Sequence, residues 1–180
     1  MERLIDQISR TPVERILLVG HSMGGQLVME VLRQRAIREG RLWPKLDMVA
    51  LIAPDLDIEV FRSQAREIGP LPQPFVVFAS RRDWTLRLSE WLSGSTGKLG
   101  TIEDLAGLSA LDVTVIDTTE VQGRGVDWHL SAATSPFMIS LLKGLQQGDD
   151  GLAVQAPRTA LPSVRIVADD DTTGLVIRAW

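Results

Sequence analysis

The run Gly20-His21-Ser22-Met23-Gly24-Gly25 is the part of this chain best suited to chemistry. It sets a serine between glycines two residues away on either side, the G-x-S-x-G spacing of a nucleophile elbow. Such a serine must stand on a sharp, strained turn with Oγ projecting, and neighbouring chain passes very close to it. Gly20 and Gly24 are expected to leave that room. A helix starting near Met23 would aim its positive end at the site, and the Met23 N–H would donate to a developing oxyanion. An ordinary glycine-rich strand-to-helix turn has the same letters, so the flanking elements decide between the two.

A serine hydroxyl is a weak nucleophile and needs a base, itself oriented by a third group. His129 is the only histidine outside the elbow, and it follows the fourth apolar run of the chain. Parallel strands deliver their following loops to one sheet edge, so His129 can return to Ser22. His21 is the weaker base, because a side chain adjacent in the turn does not readily face its neighbour's Oγ. The acid should follow a strand between serine and histidine. Asp83, in Ser80-Arg-Arg-Asp83, is the first choice, and Asp55 and Asp57 after the second run are the alternatives. Either of the latter could instead cap the helix that begins nearby. Asp117 and Asp127 lie near His129 and stay open as acids.

The elements that must hold these residues read clearly from hydropathy. Leu4, Ile5 and Ile8 share one face of a helix over 2–10, ended by Thr11-Pro12. Arg15-Ile-Leu-Leu-Val-Gly20 reads as a strand buried on both faces. After Gly25, Leu27, Val28, Val31 and Leu32 predict an amphipathic helix with cations in its last turns and a stop at Gly40. Met48-Val-Ala-Leu-Ile-Ala53, Phe75-Val-Val-Phe-Ala79 and Asp112-Val-Thr-Val-Ile116 repeat the strand pattern, with helices over 58–68, 86–92 and 136–145 between and after them. Gly94-Ser-Thr-Gly97 reads as part of a loop, and 102–108 as a short extra helix. Four strand–helix units predict an α/β fold with a mostly parallel sheet and flanking helices.

The core is expected over 1–147. Gly148-Asp-Asp-Gly151, Pro157 and Pro162 read as a linker, and Val164-Arg-Ile-Val-Ala168 with Leu175-Val-Ile-Arg-Ala179 as a hairpin or a loosely attached tail.

Composition narrows the rest. The chain has 180 residues, 44% of them hydrophobic, and a formal charge of −4, enough for one core and without the basic stripe of a nucleic-acid binder. It has no cysteine, so disulfides, thiolate metal sites and cysteine nucleophiles are excluded. Two histidines argue against a His-rich metal site. No apolar run approaches the roughly 20 residues of a membrane helix, and the start does not read as a signal peptide. Cytoplasmic is the default location.

With the elbow flanked by a buried strand and a helix, the chain resembles the α/β-hydrolase superfamily over residues 1–146. It is most similar to an uncharacterised esterase/lipase-like branch, through the elbow, Pro54-Asp-Leu-Asp-Ile-Glu-Val-Phe61, the run from Phe75 to Asp83, and Val115-Ile-Asp-Thr-Thr119. The resemblance implies Ser22 as nucleophile, Asp83 as acid and His129 as base, in the chain order of that superfamily. It also implies further strands before the elbow, one of whose loops supplies the second oxyanion donor. On that comparison the chain reads as a fragment of the fold, with an open apolar edge suited to self-association or to a missing N-terminal half.

The resulting expectation is a serine hydrolase acting on a small-molecule carboxylic ester or thioester, with no cofactor. The alternative is a non-catalytic α/β-hydrolase-like binding module or truncated remnant. Arg81 and Arg82 read as solvated, Trp84 and Trp91 with Leu86 and Leu88 as helix packing, and Trp128 as a wall beside His129. Asp169-Asp170-Asp171 lacks the spaced ligands of a calcium loop and reads as a solvated turn.

Overall fold

A computed structural model describes residues 1–79, 99, 108 and 111–116 in full, and the backbone of 117, 164–168 and 175–179. Within it α1 is Glu2–Ser9, β1 Ile16–His21, α2 Met23–Glu39, β2 Leu46–Ile52, α3 Ile58–Ile68, β3 Phe75–Ala79, β4 Thr114–Asp117, β5 Val164–Ala168 and β6 Leu175–Ala179. The expected helices over 86–92, 102–108 and 136–145 lie outside the described residues, apart from Leu108 at the end of the second; Leu108 and Leu99 are buried.

The strands form one sheet in the order β1-β2-β3-β4-β6-β5. β1, β2, β3, β4 and β6 run parallel, and β5 pairs antiparallel with β6. Apolar runs too short for helices and too apolar for half-exposed strands are stable only when both faces are covered. β2 and β3 meet that requirement: Met48 to Ala53 and Phe75 to Ala79 are at most 1% exposed. β1 differs from its sequence reading. It lies at the end of the strand order, and Val19 is 48% exposed while Leu17 and Leu18 are half-buried.

α2 and α3 pack against each other over the sheet, as right-handed crossovers between successive parallel strands dictate. Val28, Met29 and Leu32 of α2 and Phe61 and Ala65 of α3 meet Val49, Leu51, Phe75 and Val77 of the sheet in one core. The Phe61 and Phe75 rings lie 5.9 Å apart at 56°, a tilted aromatic contact between helix and strand. Local signals set the helix ends. Asp57 caps α3 through Oδ1, which accepts from the Glu59 and Val60 N–H groups (2.9 and 3.3 Å). Gly40 ends α2 at φ 66°, where a side chain would be strained.

Two apolar residues do not face the core as their periodicity suggested. Leu4 is 56% and Leu27 52% exposed, because α1 buries Ile5 and α2 buries Val28, Val31 and Leu32. Each exposed leucine precedes a buried residue by one position, about 100° around the helix. α1 is anchored instead by polar contacts: Asp6 Oδ1 accepts from Arg35 Nη1 (3.2 Å) and Trp43 Nε1 (2.7 Å), and Arg38 pairs with Glu2. The Arg35 guanidinium also lies over the Trp43 ring, 5.0 Å from its centroid. Among the described residues no helix is long and apolar enough to cross a membrane.

The outer seam between α2 and α3 is ionic. Glu30 accepts from Arg33 Nε and Nη2 (both 2.9 Å), Gln34 (2.8 Å) and Gln64 (3.2 Å), while Arg33 Nη1 reaches Glu67 at 2.8 Å. The Arg33 hydrogen bonds, then that of Gln34, hold the Glu30 carboxyl down from 4.5 to about 2. A carboxyl depressed in the folded state stabilises fully above its unfolded pKa and loses that contribution as pH falls through the folded one. The stability difference between the native chain and Glu30→Gln is therefore expected to be full above pH 4.5 and to vanish toward about pH 2. Added salt should shrink it, since Glu30 is 38% exposed. Denaturant titration of both proteins across that range checks this; a pH-independent difference contradicts it. Phe61→Ala, at a fully buried ring, should cost about 3–5 kcal/mol in the same assay. A loss below about 1 kcal/mol would place Phe61 outside the core.

Candidate active site

The β1–α2 turn brings strand, serine and helix together without an intervening loop. β1 ends at His21, Ser22 is the N-cap residue, and α2 begins at Met23, as the sequence predicts. Ser22 has φ 51° and ψ −125°. A positive φ in a residue with a side chain costs on the order of 1–3 kcal/mol and persists only where the surroundings over-determine it. A serine at a helix start ordinarily spends its hydroxyl on the N–H groups of the first turn. Ser22 makes no such cap bond.

The surroundings that hold it are visible. The Ser22 N–H donates to the Ile52 carbonyl (3.0 Å), and the Ser22 carbonyl accepts from the N–H groups of Gly25 (2.9 Å) and Asp55 (3.2 Å). Gly20 is required for space. A Cβ there would lie 2.9 Å from the Gly24 carbonyl oxygen and 3.0 Å from both Gly24 C and Gly25 Cα, all backbone atoms. The crowding expected at Gly24 falls instead on Gly25. At Gly24, on the outer side of the first helical turn, a Cβ would meet nothing within 4 Å, whereas at Gly25 it would lie 3.0 Å from Pro54 Cβ. The Gly-Gly doublet in the sequence was the only sign of this contact.

Met23, first in α2, contributes one of the N–H groups that a helix start leaves without intrahelical partners, and its side chain is 69% exposed. His21 is half-buried and stands in register with Ile52 of β2. Asp57 is committed to capping α3. Asp55 lies beside the elbow through its backbone, its N–H on Ser22 and its carbonyl accepting from Gln26 Nε2 at 2.6 Å. Asp117 closes β4 opposite Ala79. Asp83, Asp127 and His129 lie outside the described residues, as do Arg81, Arg82, Trp84, Trp91 and Trp128. Among the described residues no group of three or more His, Cys, Asp or Glu side chains could hold a metal.

A serine at positive φ between a parallel strand and a helix start agrees with the family comparison. The model of a family described as alpha/beta hydrolase of unknown function (DUF900) matches residues 1–145. The chain belongs to that family. No curated protein and no solved structure matches it. For this alpha/beta hydrolase the fold and the elbow come from the same stretch, because the match spans β1 through β4.

The steric reading yields opposite outcomes at two neighbouring glycines. Gly20→Ala should destabilise by about 1–3 kcal/mol, since backbone atoms must shift to admit the methyl. Gly24→Ala, in a helix and facing open space, should be neutral or stabilising by up to about 1 kcal/mol. Thermal unfolding of the two variants checks this, and equal effects would mean that the turn is not packed as described.

Proposed function

We propose that this alpha/beta hydrolase is a serine hydrolase of carboxylic esters or thioesters, with Ser22 as nucleophile, His129 as base and Asp83 as the residue that orients it. In this mechanism Ser22 Oγ attacks the carbonyl carbon while His129 takes its proton. The developing oxyanion accepts a hydrogen bond from the Met23 N–H, under the positive end of α2. His129 then protonates the leaving group. Water, activated by the same imidazole, releases the acid from the acyl-enzyme, and Asp83 holds the imidazole in the required tautomer throughout.

The observation that carries the reading is the Ser22 backbone, strained to φ 51° on the turn between β1 and the start of α2. The topology supports the other two assignments. β1, β2, β3 and β4 run parallel and adjacent, so their C-terminal ends share one edge. Asp83 follows β3 in the sequence and His129 follows β4. Transfer of the acyl group to an acceptor other than water would use the same three residues.

A fluorophosphonate probe tests the proposal, because it reacts with activated serines. Ser22→Ala should abolish labelling. His129→Ala and Asp83→Asn should each slow it by about a thousandfold or more, as losses within such a triad do. Full labelling of Ser22→Ala would move the nucleophile elsewhere, and an unreactive parent chain would end the hydrolase reading.

A further inference from the structure

Resting on Ser22 as the nucleophile, we propose that residues 52–55 form a clamp that sets its backbone, and that Gln26 is the positioning residue that locks this clamp. The elbow holds its strained conformation through main-chain bonds to a segment some 30 positions away. The Ile52 carbonyl takes the Ser22 N–H, and the Asp55 N–H reaches the Ser22 carbonyl, so both polar groups of the Ser22 backbone are tied to the same short segment.

That segment has an unusual shape of its own. Ala53, fully buried, has φ 42°, the only other positive φ at a non-glycine among the described residues. Its N–H donates to the Phe78 carbonyl at 2.9 Å, which anchors the bend to β3. The bend sends buried Pro54 against Gly25 and delivers the Asp55 N–H to Ser22. A turn of this kind needs a stop that keeps Asp55 from swinging outward. The Gln26 amide supplies one, donating from α2 to the Asp55 carbonyl at 2.6 Å. The contact closes a loop of bonds: Ser22 carbonyl to Asp55 N–H, across Asp55 to its carbonyl, then to Gln26, one helical turn from Ser22. Gln26 touches no reacting atom in this scheme; it acts through the Asp55 peptide on the angle at which Ser22 presents Oγ.

The test replaces Gln26 by methionine, which keeps length and helix propensity and removes the donor. Gln26→Glu serves as a second variant, of the same shape but an acceptor when ionised. Two readouts are taken on the full chain. The first is amide hydrogen exchange at Asp55, which should speed up in both variants while the global unfolding midpoint stays unchanged. The second is fluorophosphonate labelling resolved into reversible binding and the covalent step. The covalent rate should fall about two- to tenfold, the range one neutral hydrogen bond supports, with reversible binding unchanged. Unaltered Asp55 exchange overturns the clamp. A covalent rate that stays at the parental value, or falls only in step with global stability, overturns the positioning role. Loss of the nucleophile reading itself would show separately, as a parent chain that exchanges as expected but never labels.

Discussion

The geometry of this domain turns on a serine held where serines rarely sit. At φ 51° and ψ −125°, Ser22 lies in a backbone region that costs free energy for any residue with a side chain. The sequence Gly-x-Ser-x-Gly permits that conformation by clearing space, but permission does not hold it. The Ser22 N–H and carbonyl are bonded to Ile52 and Asp55, at the end of the neighbouring strand. The elbow is therefore a joint between two strand–helix units. It exists only when β1 and β2 are in register, with Gly20 opposite Leu51 and His21 opposite Ile52.

That register is in turn a product of burial. β2 from Met48 onward and all of β3 are apolar and enclosed, so the parallel ladder cannot slip without moving large side chains into water. Ile52 pairs with Phe78, the Ala53 N–H reaches the Phe78 carbonyl, and Ala79 pairs with Asp117. The strand ends are thereby fixed to one another across the edge where Ser22 stands. A nucleophile needs placement to a fraction of an ångström, and here that placement is inherited from the most deeply buried strands of the sheet.

The helices on the sheet are held by different physics on their inner and outer sides. Inside, Met29, Leu32, Phe61 and Ala65 supply apolar burial, which is strong but tolerant of small rotations. Outside, Glu30 gathers Arg33, Gln34 and Gln64, and Arg33 adds Glu67. Such exposed charge networks contribute little stability each, but their hydrogen bonds have directions and fix how α2 turns against α3. Since α2 begins at the residue after Ser22, its rotation is also the rotation of the elbow.

Much of this could be read in advance, because it depends on local chemistry. Short wholly apolar runs give buried parallel strands; Asp57 before a helical pattern gives a cap; Gly40 after one gives a stop. Serine between spaced glycines at a strand end gives the elbow. What the letters left open depends on residues that meet from far apart. Leu4 and Leu27 have the right spacing for a core face and yet lie exposed, since periodicity says which residues share a face but not which neighbour covers it. β1 is as apolar as β2 but carries a half-exposed Val19, because sheet order, not composition, decides which strand lies at the end. The crowded second glycine is Gly25 rather than Gly24, and the bend at Ala53 has no glycine to announce it. The bend at Ala53 brings Pro54 against α2 from the next strand, and that contact crowds Gly25. The sequence by itself determined that a serine would stand on a tight strand-to-helix turn; only tertiary contact between the two chain segments decided what holds it there, since a strained backbone is stabilised by partners that local sequence does not contain.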